Sequence, residues 1–123
     1  MRSAASVRSA RVLAQRALQE WELTELLDVV CLCVSELATN ALLHGTLPRQ
    51  EFTLTLTRSA DLLRVEVQDC SAGEPRLRQV TANDCTGRGW LVIHELAHDH
   101  GVIRNESQKT VWLTFKIPRT SGL

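Results

Sequence analysis

The stretch from Val34 to Gly45, VSELATNALLHG, constrains this chain more than any other. It extends an apolar run that begins near Val29. Val29, Val30, Leu32, Val34, Leu37, Ala38, Ala41, Leu42 and Leu43 cover most of a helical wheel. A helix that is apolar nearly all round belongs inside a protein. Yet Glu36, Asn40 and His44 recur at i, i+4 and i+8, which stacks them along one side. An acid and an amide buried there without partners cost roughly several kcal/mol. Either they bond neighbouring backbone or face solvent, or they line a cleft and hold something polar, such as a hydrated cation.

With 123 residues the chain suits a single domain, with a folded core over about residues 7–118. A hydrophobic fraction of 44% and a formal net charge of zero describe an ordinary globular protein. That neutrality gives no basis for broad attraction to nucleic acid or membrane. No run approaches the roughly 18 apolar residues of a membrane span. The N-terminal MRSAASVRSARVLAQRALQ is rich in Arg and Ser and has no acid before Glu20, as a transit peptide can be. Its apolar residues also share one helical face, and a first helix packed on the domain is the preferred reading. The four cysteines form no CxxC pair; Cys31 and Cys33 point about 200° apart on a helix, whereas Cys70 and Cys85 bracket a loop. With no secretory signal in the sequence, reduced thiols and a cytoplasmic location are expected.

Periodicity places a first helix over Val7–Trp21 and a second from an N-cap at Thr24 to His44, stopped by Gly45. EFTLTLT alternates as a half-buried strand, RSAD turns, and LLRVEVQD returns as its partner. In that second strand Leu63, Val65 and Val67 share a face, and Asp69 falls in phase with them. The core face thus ends in a carboxylate, which either caps a turn or accepts a hydrogen bond from a ligand. Residues Cys70 to Thr86 form a long connection of the length binding loops have. Gly87-Arg88-Gly89 then opens the segment WLVIHELAHD, where backbone amides can approach an anion. Gly101 is expected to close that helix. GVIRN and TVWLTFKI follow as strands joined by the turn ESQK, and Pro118 ends the structure.

His94-Glu95-Leu96-Ala97-His98 matches HExxH, the zinc-hydrolase pattern. A third histidine would fall at Arg104, which cannot ligate zinc. On a helical wheel His94, Glu95, His98 and Asp99 gather opposite the apolar arc, so these histidines are read as surface residues.

Taken in order, these pieces resemble the GHKL (histidine-kinase-like) ATP-binding fold: the Glu-x-x-x-Asn-Ala-x-x-His-Gly helix, a strand ending in Asp, a loop, Gly-x-Gly opening a helix, then paired strands. ELATNALLHG, TGRGWLVIHELA and the start VRSARVLAQRALQEWEL resemble its small stand-alone branch, the bacterial anti-sigma-factor serine/threonine kinases and related actinobacterial regulators. The resemblance spans roughly Val7 to Pro118. It implies an α+β fold, a two-layer α/β sandwich whose mixed, mainly antiparallel sheet is covered on one face by three helices.

The resemblance also implies roles. Asn40 would ligate magnesium carried by ATP. Glu36 would act as general base, or orient the attacking hydroxyl through a water. Asp69 would accept the adenine amino group. Gly87 and Gly89 would pass close to the phosphates, and Arg88 would stabilise transferred charge. Thr110 would stand beside the adenine-binding aspartate, and His44 ends the first box. Gly73 belongs to a second box that departs from the common Asp-x-Gly-x-Gly, since Ser71 replaces its first glycine. The expected function is a Mg-ATP-dependent serine/threonine kinase and anti-sigma factor acting on a protein antagonist. Its partners would be ATP, the antagonist and a sigma factor, without direct nucleic-acid or membrane contact, and a homodimer is compatible with it. A non-catalytic adaptor of the same fold is the alternative, and an HExxH zinc hydrolase the remote one.

Overall fold

The computed structural model describes residues 6–44, 52–69, 86–105 and 108–118. Helix α1 (Val7–Glu20) begins where the Ser6 hydroxyl accepts the Ser9 N–H at 3.0 Å, satisfying one of the amides a helix start leaves unbonded. Its buried face is Ala10, Ala14, Ala17 and Leu18, and the small side chains let it lie close on the next helix. It ends in a Schellman arrangement. The Leu23 N–H donates to the Leu18 carbonyl at 2.8 Å and the Glu22 N–H to that of Gln19 at 3.1 Å. Glu22 occupies the left-handed position of this motif, with φ 57°, a conformation that costs a non-glycine residue about 1 kcal/mol. A 3-10 turn, Thr24–Leu26, precedes α2 (Leu27–His44). Thr24 therefore opens a tighter turn rather than capping the long helix itself.

Four strands form one sheet: β1 (Phe52–Arg58), β2 (Leu62–Asp69), β3 (Asp99–Arg104) and β4 (Lys109–Lys116), in the order β1-β2-β4-β3. Every described pairing is antiparallel. Alternation decides which residues face inward. Phe52, Leu54 and Leu56, then Leu63, Val65 and Val67, then Val111, Leu113 and Phe115 are buried, meeting Val30, Cys33, Val34, Leu37 and Ala38 of α2 and Ile93 of α3 (Thr86–Leu96). The result is the expected two-layer sandwich with helices over one sheet face. No described helix is long and apolar enough to cross a membrane.

Helix α3 begins earlier and ends earlier than the periodicity suggests. The Ala97 N–H still bonds the Ile93 carbonyl at 2.9 Å, but the next amide, on His98, donates to the Thr114 carbonyl of β4 at 2.7 Å. The backbone has already joined the sheet, so Gly101 lies inside β3 and stops no helix. Its lack of a side chain serves another purpose: the Trp112 ring crosses it so closely that a Cβ would meet ring atoms at 2.7 Å. On that outer face the Arg64 guanidinium stacks 4.7 Å from the Trp112 ring centroid and pairs with Glu66 at 2.7 Å.

Candidate functional site

Chain direction brings the polar residues to one end of the sheet. Helix α2 starts beside Trp21, whose carbonyl accepts a hydrogen bond from Arg58 at the close of β1, at 3.3 Å. It is about 27 Å long, close to the roughly 26 Å of an eight-residue strand. Its second half therefore reaches the opposite end, where β2 finishes at Asp69. Helix α3 delivers the chain into β3 at Asp99, which pairs with Thr114, so its N-terminus points back toward the Asp69 end. Three features converge there: the seam of α2, the last residue of β2 and the first turn of α3.

On α2, Glu36 is half-buried, whereas Asn40 is only 6% exposed. The Asn40 Oδ1 is enclosed and has no hydrogen-bond partner among the described residues. A buried acceptor left in that condition costs about 1–3 kcal/mol. An amide oxygen is also a ligand that hard divalent cations take. Asp69 is 7% exposed and stands directly across the strand pair from Lys109, also 7% exposed. Gly87, Arg88 and Gly89 lie in the first turn of α3, a turn without acidic residues. The N–H groups there find no carbonyl within the helix, and the helix dipole adds positive potential. Chemically this end offers a buried carboxylate, a free amide oxygen and an anion-attracting helix start.

The structure redistributes some expected residues. Thr110 alternates to the outer sheet face, opposite Gln68 in register, with its hydroxyl 3.5 Å from the Gln68 amide nitrogen. The place beside Asp69 belongs to Lys109 instead. Composition places that lysine in the turn ESQK, although counting back by twos from Phe115, Leu113 and Val111 reaches it. Gly73, Cys70 and Cys85 lie outside the described residues, as do the side chains of His44 and Arg88.

HExxH does not survive as a unit. The helix ends at Leu96, so His98 leaves the turn that carries His94. His94 meets His100 of β3, ring nitrogens 3.4 Å apart and rings edge to face. The hydrolase pattern thus lacks the shared helical face on which its two ligands depend.

Charge on the α2 seam is felt inside the core. Burial first, and then Glu36, push the Cys33 thiol up to about 11. Burial followed by Asp28 raises Cys31, with Arg11 opposing. Both thiols are held in the protonated, unreactive form. A cleft of about 540 Å³ lies at the other end of the sheet, between Trp21, Glu22, Glu25, Arg58 and Ile117. It gathers none of the expected site residues.

A sequence profile described as "Histidine kinase-like ATPase domain" matches residues 2–115. No match was found among curated proteins. The profile's span takes in all three helices, the first three strands and almost all of β4, and the chain belongs to the family of histidine kinase-like ATPase domains, of GHKL type.

Proposed function

We propose that this chain binds Mg-ATP at the Asp69 end of its sheet and transfers the γ-phosphate to a serine or threonine hydroxyl of a protein antagonist. Nucleotide state would then govern its hold on a second partner, a sigma factor. The family supports ATP binding and a regulatory role. The observation that carries the reading further is the enclosed Oδ1 of Asn40, which has no partner among the described residues, one helical turn beyond Glu36.

The residues present fit the cofactor. Asn40 supplies a neutral oxygen ligand to magnesium, and an occupied site removes the cost of leaving that oxygen unbonded. Magnesium held there by Asn40 would supply positive charge against that of the phosphates. Asp69 accepts the hydrogen bond of the adenine amino group. Gly87 and Gly89 expose the backbone amides of α3 to the phosphates, and Arg88 on the same turn stabilises transferred charge. Glu36 takes the proton of the attacking hydroxyl as its oxygen bonds to phosphorus and the bond to the departing ADP breaks. His44 ends the helix that carries Glu36 and Asn40, and Gly73, four residues after Asp69 in sequence, is a further candidate contact to the nucleotide. The outward position of Thr110 removes it from this set.

An adaptor without catalysis is the second reading. Its support is edge strand β3, which leaves Val102 and Ile103 43% and 55% exposed, a surface suited to a protein partner. Titration with ATP, with and without magnesium, tests the nucleotide proposal, which absence of binding at millimolar ATP would sink; phosphotransfer to a protein separates the kinase from an adaptor that binds nucleotide without catalysis. The Glu36→Ala variant is expected to bind ATP near normally and to lose phosphotransfer. Persistent transfer would remove Glu36 from its role.

A further inference from the structure

We propose that Lys109 is the positioning residue that sets base specificity: facing Asp69 across the β2–β4 pair, it holds that carboxylate ionised, so the site takes a 6-amino purine and refuses a 6-oxo one. This rests on the nucleotide reading above and deepens it. The inward face of β4 carries Val111, Leu113 and Phe115, and Lys109 continues that row. A lysine with so little exposure is unusual unless its charge has company. The antiparallel register sets it directly opposite Asp69 on the same face, where opposite charges attract.

The protonation state of Asp69 decides what it can recognise. Ionised, a carboxylate only accepts hydrogen bonds; protonated, it also donates. The amino group of adenine donates, whereas the 6-oxo group of guanine accepts. An ionised Asp69 thus matches the first and confronts the second with acceptor against acceptor, the kind of mismatch that discriminates strongly. Burial alone favours the protonated acid, and a nearby cation reverses that preference.

Among the described side chains Lys109 is the buried cation directly across from Asp69; Arg104 of β3 pairs with Lys109 on its other side, one strand further away, and is exposed. Across from Asp69, β1 offers Phe52, and its Arg58 stands at the far end opposite Leu63. Helix α2 contributes Glu36, whose negative charge acts the other way, and Asp28 in its first turn. On α3, Arg88 lies in the first turn with its side chain outside the described residues, and His94 and Glu95 are exposed near the C-terminal end. Arg64 and Glu66 of β2 alternate to the outer face, and Lys116 of β4 pairs with Leu62 at the distant end.

The test titrates the full chain with ATP and GTP between pH 5.5 and 8.5, alongside Lys109→Met, Lys109→Arg and the double variant Asp69→Asn/Lys109→Met, with melting curves confirming that each is folded. The native chain should bind ATP at least about tenfold more tightly than GTP, with little change over this range. Lys109→Met should lose about tenfold or more in ATP affinity as pH falls, recover it at high pH, and narrow the ATP-to-GTP ratio at low pH. Arginine should restore the native profile, and the double variant should show no such pH dependence because its titrating group is gone. Should the methionine variant unfold, Lys109→Gln carries the same expectation. A neutral variant that keeps the native pH profile and base preference overturns the proposal. So does pH dependence that persists in the double variant. A native chain that binds neither nucleotide fails at the earlier step, overturning the nucleotide reading and this one with it.

Discussion

The two ends of the sheet's inner face are built from opposite materials. Near the turn that joins β1 to β2, Leu63 faces Phe115 across the strand pair, and both are buried. At the other end the same strands close on Asp69 and Lys109, roofed by the half of α2 that carries Asn40. The alternation of the strands runs unbroken between the two, so backbone geometry does not explain the difference. One end removes hydrocarbon from water and stabilises the fold. The other encloses groups that prefer water, which is reasonable where a ligand completes them.

Cutting into the apolar end gives the largest effect. Leu63→Ala should destabilise the chain by about 2–5 kcal/mol, read from urea midpoints. A loss under about 1 kcal/mol would show that this end does not anchor the fold. Gly101→Ala tests the outer face, where the new methyl meets the Trp112 ring. A cost of about 1–3 kcal/mol is expected, with altered tryptophan fluorescence, and a neutral result would mean that the ring yields without penalty.

Cys33 probes the zone between the two ends. Its folded pKa is raised from 9.0 to about 11, by burial and then by Glu36. The folded chain therefore keeps a proton that the unfolded chain releases. The associated stability is fully present below about pH 9 and is lost as pH rises through about 11. Melting temperature should fall across that window by several degrees, and less steeply in Cys33→Ala; Cys31, shifted the same way, keeps the slope from vanishing. An unchanged slope would assign the alkaline loss to other groups.

The smallest effect on stability belongs to the polar end. Asn40→Leu exchanges an amide whose oxygen has no partner among the described residues for hydrocarbon of similar size and should leave stability within about 1 kcal/mol of native, or raise it, while magnesium-dependent ATP binding falls. Destabilisation comparable to that of Leu63→Ala would erase the contrast between the ends.

Much of this could be read in the sequence because alternation and helical period carry it. The Phe52, Leu54 and Leu56 row, the phase of Asp69 and the seam of α2 all follow from spacing. The start of β4 escaped by one residue. A lysine beside Gln108 and Ser107 looks like turn composition, yet strand pairing overrode that composition and turned Lys109 inward. Thr110, between Lys109 and Val111, alternates outward. The end of α3 was misplaced because HELAHD continues a helical pattern beyond the point where strand pairing captures the His98 amide. Such competition between local pattern and a partner distant in sequence does not show in the segment itself.

The order β1-β2-β4-β3 has a consequence for how the molecule assembles. β4, the last of the described strands in sequence, lies between β2 and β3 and holds both. Until it is present, β2 has one neighbour and β3 has none, and Asp69 faces no strand on that side. The β1–β2 hairpin can form from local contacts, but the rest waits for pairings that span long stretches of chain, the kind that slow folding. During synthesis the inner face therefore stays open until β4 emerges. On the role proposed for Lys109, discrimination among nucleotides would arrive with the very strand that closes the sheet.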